Sequence, residues 1–85
     1  MPELCRFLGI VIKMYYKDHA PPHFHATYGE YLIKVEIETG VVKGEFPKRA
    51  LRLVMEWYEL RKDELLEDWM LARKEVPLNR IPPLE

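Results

Sequence analysis

The sequence predicts an α+β domain: a small three-stranded antiparallel sheet followed by one bent helix, or two consecutive helices, packed on one face of the sheet. Three observations lead there. Apolar residues alternate with other types from Leu8 to Lys17 and again from Tyr31 to Ile37, which is the period of a strand. After Pro47 they recur at helical spacings. A chain of 85 residues with 48 % hydrophobic side chains can fill one core and no more.

The elements follow in order. Leu8, Ile10, Ile12, Met14 and Tyr16 alternate with Gly9, Val11, Lys13, Tyr15 and Lys17 and read as a first strand. Asp18 to Pro22 interrupts it, because two successive prolines remove two ladder donors. A second strand resumes by Tyr31, with Tyr31, Ile33, Val35 and Ile37 on one face and Leu32, Lys34 and Glu36 on the other. Glu38-Thr39-Gly40 makes a short hairpin connection, and Val41 to Phe46 supplies the returning strand. Pro47 opens the helical half, where its missing amide hydrogen costs nothing. Leu51, Val54, Tyr58, Leu65 and Trp69 form the buried stripe, interrupted by Arg61 and Lys62. A straight helix from Pro47 to Lys74 would run about 42 Å, longer than a compact domain of this size allows. A bend or break near Arg61 to Glu64 is therefore expected, with Asp63 as a cap for a second helix. One β-β-β-α-α domain is assigned to residues 1–75, and residues 76–85, with Pro77, Pro82 and Pro83, to an extended tail. Trp57, Tyr58 and Trp69 are expected in the core or at the helix interface.

The charge balance narrows the function classes. With 13 basic and 14 acidic residues the formal net charge is -1, so any RNA or DNA contact must use a local patch. Near-neutrality also leaves room for a homo-oligomer. The single cysteine, Cys5, cannot form an internal disulfide, which fits a reducing compartment. No window approaches the roughly 20 apolar residues of a membrane span, and no signal pattern opens the chain. A cytoplasmic protein without a membrane role is expected.

All three histidines fall within seven positions, His19, His23 and His25, in the run Lys17-Asp18-His19-Ala20-Pro21-Pro22-His23-Phe24-His25. Three readings of this loop stand open. Histidine serves as general base and general acid near neutral pH, so a pair flanking a ribose phosphate can activate the 2'-hydroxyl and protonate the leaving oxygen without metal. His23 and His25 are the first candidates, with His19 third. Alternatively His19, His23 and His25, with Asp18 or Glu30, offer imidazole and carboxylate ligands to a transition metal such as zinc. In the third reading the histidines bond to backbone and Pro21-Pro22 only shapes a turn. On a continuous strand without a bulge at Gly29, His23 and His25 would share the face of Tyr31 and Ile33 and be partly buried by the helices.

A second cluster lies at the start of the helix. Lys48, Arg49 and Arg52 crowd an end where the helix dipole disfavours cations by about 0.3 to 1 kcal/mol each. A bound phosphate reverses that balance. Lys17 is assigned to the same phosphate-binding set, and Lys13, Lys34 and Lys43 extend it if the sheet brings them near. Glu56, Glu59, Asp63, Glu64, Glu67 and Asp68 make the later helical region acidic.

Several segments together resemble the small prokaryotic family DUF4160. They are Arg6-Phe7-Leu8-Gly9-Ile10, Met14-Tyr15-Tyr16, His19-Ala20-Pro21-Pro22-His23-Phe24-His25-Ala26, Tyr28-Gly29-Glu30-Tyr31, Pro47-Lys48-Arg49-Ala50-Leu51 and Asp63-Glu64-Leu65-Leu66-Glu67. The resemblance implies a cognate small protein, often of the DUF2442 type, encoded beside it; some such pairs are regarded as candidate toxin–antitoxin modules. It carries over no catalytic residues. The leading expectation is a toxin–antitoxin-type component that binds or acts on RNA, as a metal-independent ribonuclease if His23 and His25 exchange protons. The first alternative is a noncatalytic protein-binding or antitoxin-like subunit with Tyr15, Tyr28 or Leu32 at its interface. The second is a metal-binding protein that uses the histidine loop.

Overall fold

A computed structural model of the protein describes residues 3–84. One antiparallel sheet has five strands, not the three expected: β1 (Glu3–Phe7), β2 (Ile10–Lys13), β3 (His23–Tyr28), β4 (Tyr31–Glu36) and β5 (Val42–Glu45), side by side in chain order. A single helix, α1 (Lys48–Arg73), follows them. The α+β class holds, and the two additional strands have identifiable origins.

The first lies before Leu8. Leu8 and Gly9 have φ values of 49° and 84°, and two successive positive values are the pattern of a type I′ turn, which matches the twist of the strands it joins. The alternation from Leu8 therefore runs through a tight turn into β2, and the chain ahead of it is β1, with Phe7 opposite Ile10. A register shift between Glu3 and Cys5 breaks the alternation of β1 and leaves Leu4 and Cys5 both buried.

The second is β3, which begins at His23 directly after the prolines and pairs on both sides, with β2 and with β4. Residues Gly29 and Glu30 turn β3 into β4, with Tyr28 opposite Tyr31. A two-residue turn places even positions of β3 beside odd positions of β4. His25 consequently stands opposite Lys34 and not on the face of Tyr31 and Ile33. That corrects the expectation drawn from an unbroken strand. Two of the three histidines, His23 and His25, thus lie on the middle strand, and His19 stays in the loop before it.

The face shared by Ile10, Ile12, Phe24, Ala26, Ile33 and Val35 is buried and packs on α1. Phe24 meets Trp57 with ring centroids 5.8 Å apart, and the Tyr58 hydroxyl donates to the Ile37 carbonyl. The helix is one element bent at Arg61 (φ -118°, ψ 20°). Straight, its 26 residues would measure about 39 Å, against a longest molecular dimension of 34 Å. The bend lets Val54, Trp57 and Tyr58 before it, and Leu65, Trp69 and Ala72 after it, all reach the core.

Residues 76–84 contain neither helix nor strand, yet they pack on the domain. Ile81 is buried and its amide donates to the Leu4 carbonyl at 3.0 Å. The Trp57 indole N–H donates to the Pro82 carbonyl at 2.8 Å. Among the described residues no helix is long and apolar enough to cross a membrane.

Candidate functional site

His23 opens β3 at the point where the Pro21-Pro22 turn delivers the chain into the sheet. A carbonyl oxygen only accepts, so the bond of 2.8 Å between His23 Nδ1 and the Pro21 carbonyl puts a proton on Nδ1. The other ring nitrogen, Nε2, faces Asp18 Oδ2 at 2.8 Å. Asp18 Oδ1 in turn accepts the His19 backbone N–H at 2.8 Å. Burial alone would raise the Asp18 carboxyl, but the His19 amide and the His23 ring together hold it below its usual range. His23 is only 4 % exposed and packs against Trp69, 5.2 Å between ring centroids.

His25 lies two residues on, half-buried, with Tyr15 edge-on at 4.7 Å and the His23 ring at 5.2 Å. Its Nδ1 is buried and has no hydrogen-bond partner among the described residues. Burial, then the neighbouring His23 and Lys34, lower its pKa, against an opposing pull from Asp18. Neutral imidazole is thus favoured there, and neutral imidazole is the form that ligates metals. Ligand atoms of Asp18, His23 and His25 all lie within 4.8 Å of one another. His19 is exposed and stands outside this group, and Glu30 is at the far turn of β3.

Beside the group, the register lines up three lysines with His25, an alignment that the sequence alone leaves conditional. Lys13, His25, Lys34 and Lys43 are successive cross-strand partners on β2, β3, β4 and β5. They share the face opposite to the one packed on α1. A shallow groove of about 360 Å³ runs beside them, lined by His25, Leu32, Ile33, Lys34, Lys43 and Gly44.

The other predicted cations lie elsewhere. Lys48, Arg49 and Arg52 are exposed on the first turns of α1. Arg49 borders a groove of about 530 Å³ whose other walls include Leu8, Ile10 and Tyr28. Tyr28 ends the strand that His23 begins, so this cluster is separated from His23 by the length of β3, about 17 Å. Lys17 is paired with Glu75 at 3.1 Å beside the C-terminal end of α1. The structure does not bring these four cations together, nor the helix-start cluster to the histidines.

By sequence Asp68 is one of the acidic residues of the later helical region, with no site role assigned to it. It is fully buried on α1, accepts the Asn79 backbone N–H at 2.9 Å through Oδ1, and has no partner for Oδ2 among the described residues. A lone acid inside an apolar stripe is its only sequence signal.

No curated protein and no solved structure matches the chain. A family model described as a domain of unknown function matches residues 9–70, a stretch that includes Asp18, His23, His25 and the three lysines of the sheet face. By that match the chain belongs to the DUF4160 family.

Proposed function

We propose that the protein binds single-stranded RNA across the outer face of its sheet. The observation that carries this reading is the row of Lys13, His25, Lys34 and Lys43, with Lys34 and Lys43 directly opposed. Like charges directly opposite one another destabilise a sheet. Glu3 stands opposite Lys13, and Glu36 and Glu45 lie two residues from Lys34 and Lys43 on the same face, but the directly opposed lysines still favour a polyanion crossing the strands. At about 4.8 Å between strands, the row extends about 14 Å, enough for a short run of backbone phosphates. The half-buried His25 ring beside it offers a flat surface for a base or sugar. The net charge of -1 is compatible with this, because Glu56, Glu59, Asp63 and Glu67 are exposed on α1, which packs on the other face, although Glu3, Glu36 and Glu45 share the face of the lysines.

The reading is binding rather than metal-free cleavage by a histidine pair. Both His23 ring nitrogens are engaged, by Pro21 and Asp18, and the side chain is buried. A general base must reach the proton it abstracts, and this ring is committed to its own loop.

The test is fluorescence anisotropy with a labelled single-stranded RNA over a range of salt concentrations. Three lysine contacts imply a slope of log affinity against log salt near -2, and Lys34→Gln/Lys43→Gln should shallow it by about 1.4. Arg52→Gln, at the remote helix end, should leave the slope unchanged. Absence of binding by the folded parent at low salt would sink the proposal.

A further inference from the structure

We propose that Asp18, His23 and His25 form a binding site for one divalent transition cation of the zinc class. The site shares His25 with the proposed RNA face but rests on Asp18 and the two histidines, a chemistry that the lysines do not supply.

Three features of the cluster converge. The first is the orientation of His23. Its Nδ1–H is held by the Pro21 carbonyl at 2.8 Å, which turns Nε2 towards the carboxylate. Metal-ligating histidines characteristically donate their second ring N–H to a carbonyl or carboxylate in this way, fixing tautomer and ring angle. The second is the pairing that results. With Nδ1 protonated, a neutral His23 presents a lone pair from Nε2 to Asp18 Oδ2 across 2.8 Å. Two acceptors so close need a positive centre, either a proton between them or a cation bound by both. The third is His25, whose buried Nδ1 has no partner among the described residues although its ring lies 5.2 Å from that of His23.

The donor set selects the metal class. Two imidazoles and one carboxylate favour zinc and its transition-metal neighbours, whereas magnesium and calcium prefer oxygen ligands throughout. Ligand distances of about 2.0 to 2.2 Å in a tetrahedron imply donor–donor separations of about 3.3 Å. The present separations reach up to 4.8 Å, so closure requires a modest rotation of the half-buried His25 ring while His23 stays fixed. Asp18 is already held from the other side by the His19 amide at 2.8 Å. Three protein ligands leave a fourth position for water or an anionic oxygen, next to Lys34 in the register.

The experiment uses the full chain stripped with a chelator. Zn²⁺ is titrated in competition with a chromophoric chelator, and Co²⁺ is added in parallel to read coordination from its visible absorption. The expected result is one ion per chain at micromolar or tighter affinity, with tetrahedral Co²⁺ bands. His25→Ala and the size-conserving His25→Gln should each weaken binding about a hundredfold or more, and Asp18→Asn should do the same. His19→Ala should bind like the parent. Circular dichroism establishes that each variant is folded, and the His25 pair avoids disturbing the buried His23. Failure of the folded parent to bind either ion at micromolar concentration overturns the proposal. So does retention of parental affinity by both folded His25 variants, or loss of binding in His19→Ala.

Discussion

Lys34 on β4 and Lys43 on β5 are direct partners in the register, and their side chains leave the sheet on the same side. Such a pair is unfavourable in the free protein, and an anion bound over it relieves the repulsion. Lys43→Gln should therefore raise the stability of the free protein slightly, by about 0.2 to 0.5 kcal/mol, while lowering its affinity for RNA. Urea midpoints and anisotropy on the same preparations check both signs. A variant that loses stability would show that Lys43 is held by favourable contacts, and the functional reading of the row would lose its main support.

Gly44 permits the close approach of β5 to β4 beside that row. It has φ +108°, and a Cβ built there would stand 2.4 Å from the Leu32 carbonyl oxygen. Both the dihedral and the clash oppose any side chain. Gly44→Ala should cost about 2 kcal/mol or more, read as a lower urea midpoint. A cost below about 0.5 kcal/mol, typical of a neutral surface change, would mean that the strand relaxes freely at this edge.

These two residues also mark how far the sequence alone could reach. The helix was legible because Val54, Leu65 and Trp69 repeat at its period and because the length implied the bend at Arg61. Two strands escaped. Leu8 and Gly9 continue an alternating pattern into what is a turn, and polar histidines after two prolines disguise β3. The site divided in the same manner. His23 and His25 are conspicuous by composition, and Asp18 is a near neighbour in sequence. By contrast, aligning Lys13, Lys34 and Lys43 with His25 depends on two turns and a register. Likewise, that Lys48, Arg49 and Arg52 lie towards the other end of β3 from His23 depends on the direction of that strand.

The C-terminal segment contributes to the core through one side chain above all. Ile81 is 4 % exposed and its amide is bonded to Leu4 on β1. Ile81→Ala should cost about 2 to 4 kcal/mol. It should also loosen the bond from Trp57 to the Pro82 carbonyl, shifting tryptophan fluorescence towards that of a wetter indole. An unchanged urea midpoint would mean that the segment adds nothing to stability.

Asp68 makes the same segment sensitive to pH, with a sign opposite to the usual carboxylate. Burial pushes its carboxyl above the ordinary range; the Asn79 amide opposes this, and Glu67 and Glu64 add to the rise. Its folded pKa therefore exceeds its unfolded one. Between those two values the folded chain keeps a proton that the unfolded chain has released, so the Asp68 contribution to stability falls as pH rises through that window. Above the folded value the penalty is complete, and in more acid solution it is absent. Asp18, held below its usual range, acts in the other direction, so the profile of the parent alone mixes both signs. Comparing the parent with Asp68→Asn separates them, because asparagine keeps an oxygen for the Asn79 amide and removes the buried charge. The stability of Asp68→Asn relative to the parent should be greatest near neutral pH and should decline towards about pH 4, where an ordinary Asp begins to protonate. Urea denaturation across that range reads the difference directly. A difference that is flat with pH, or that grows in acid, would mean that Asp68 does not carry an unfavourable buried charge in the native protein.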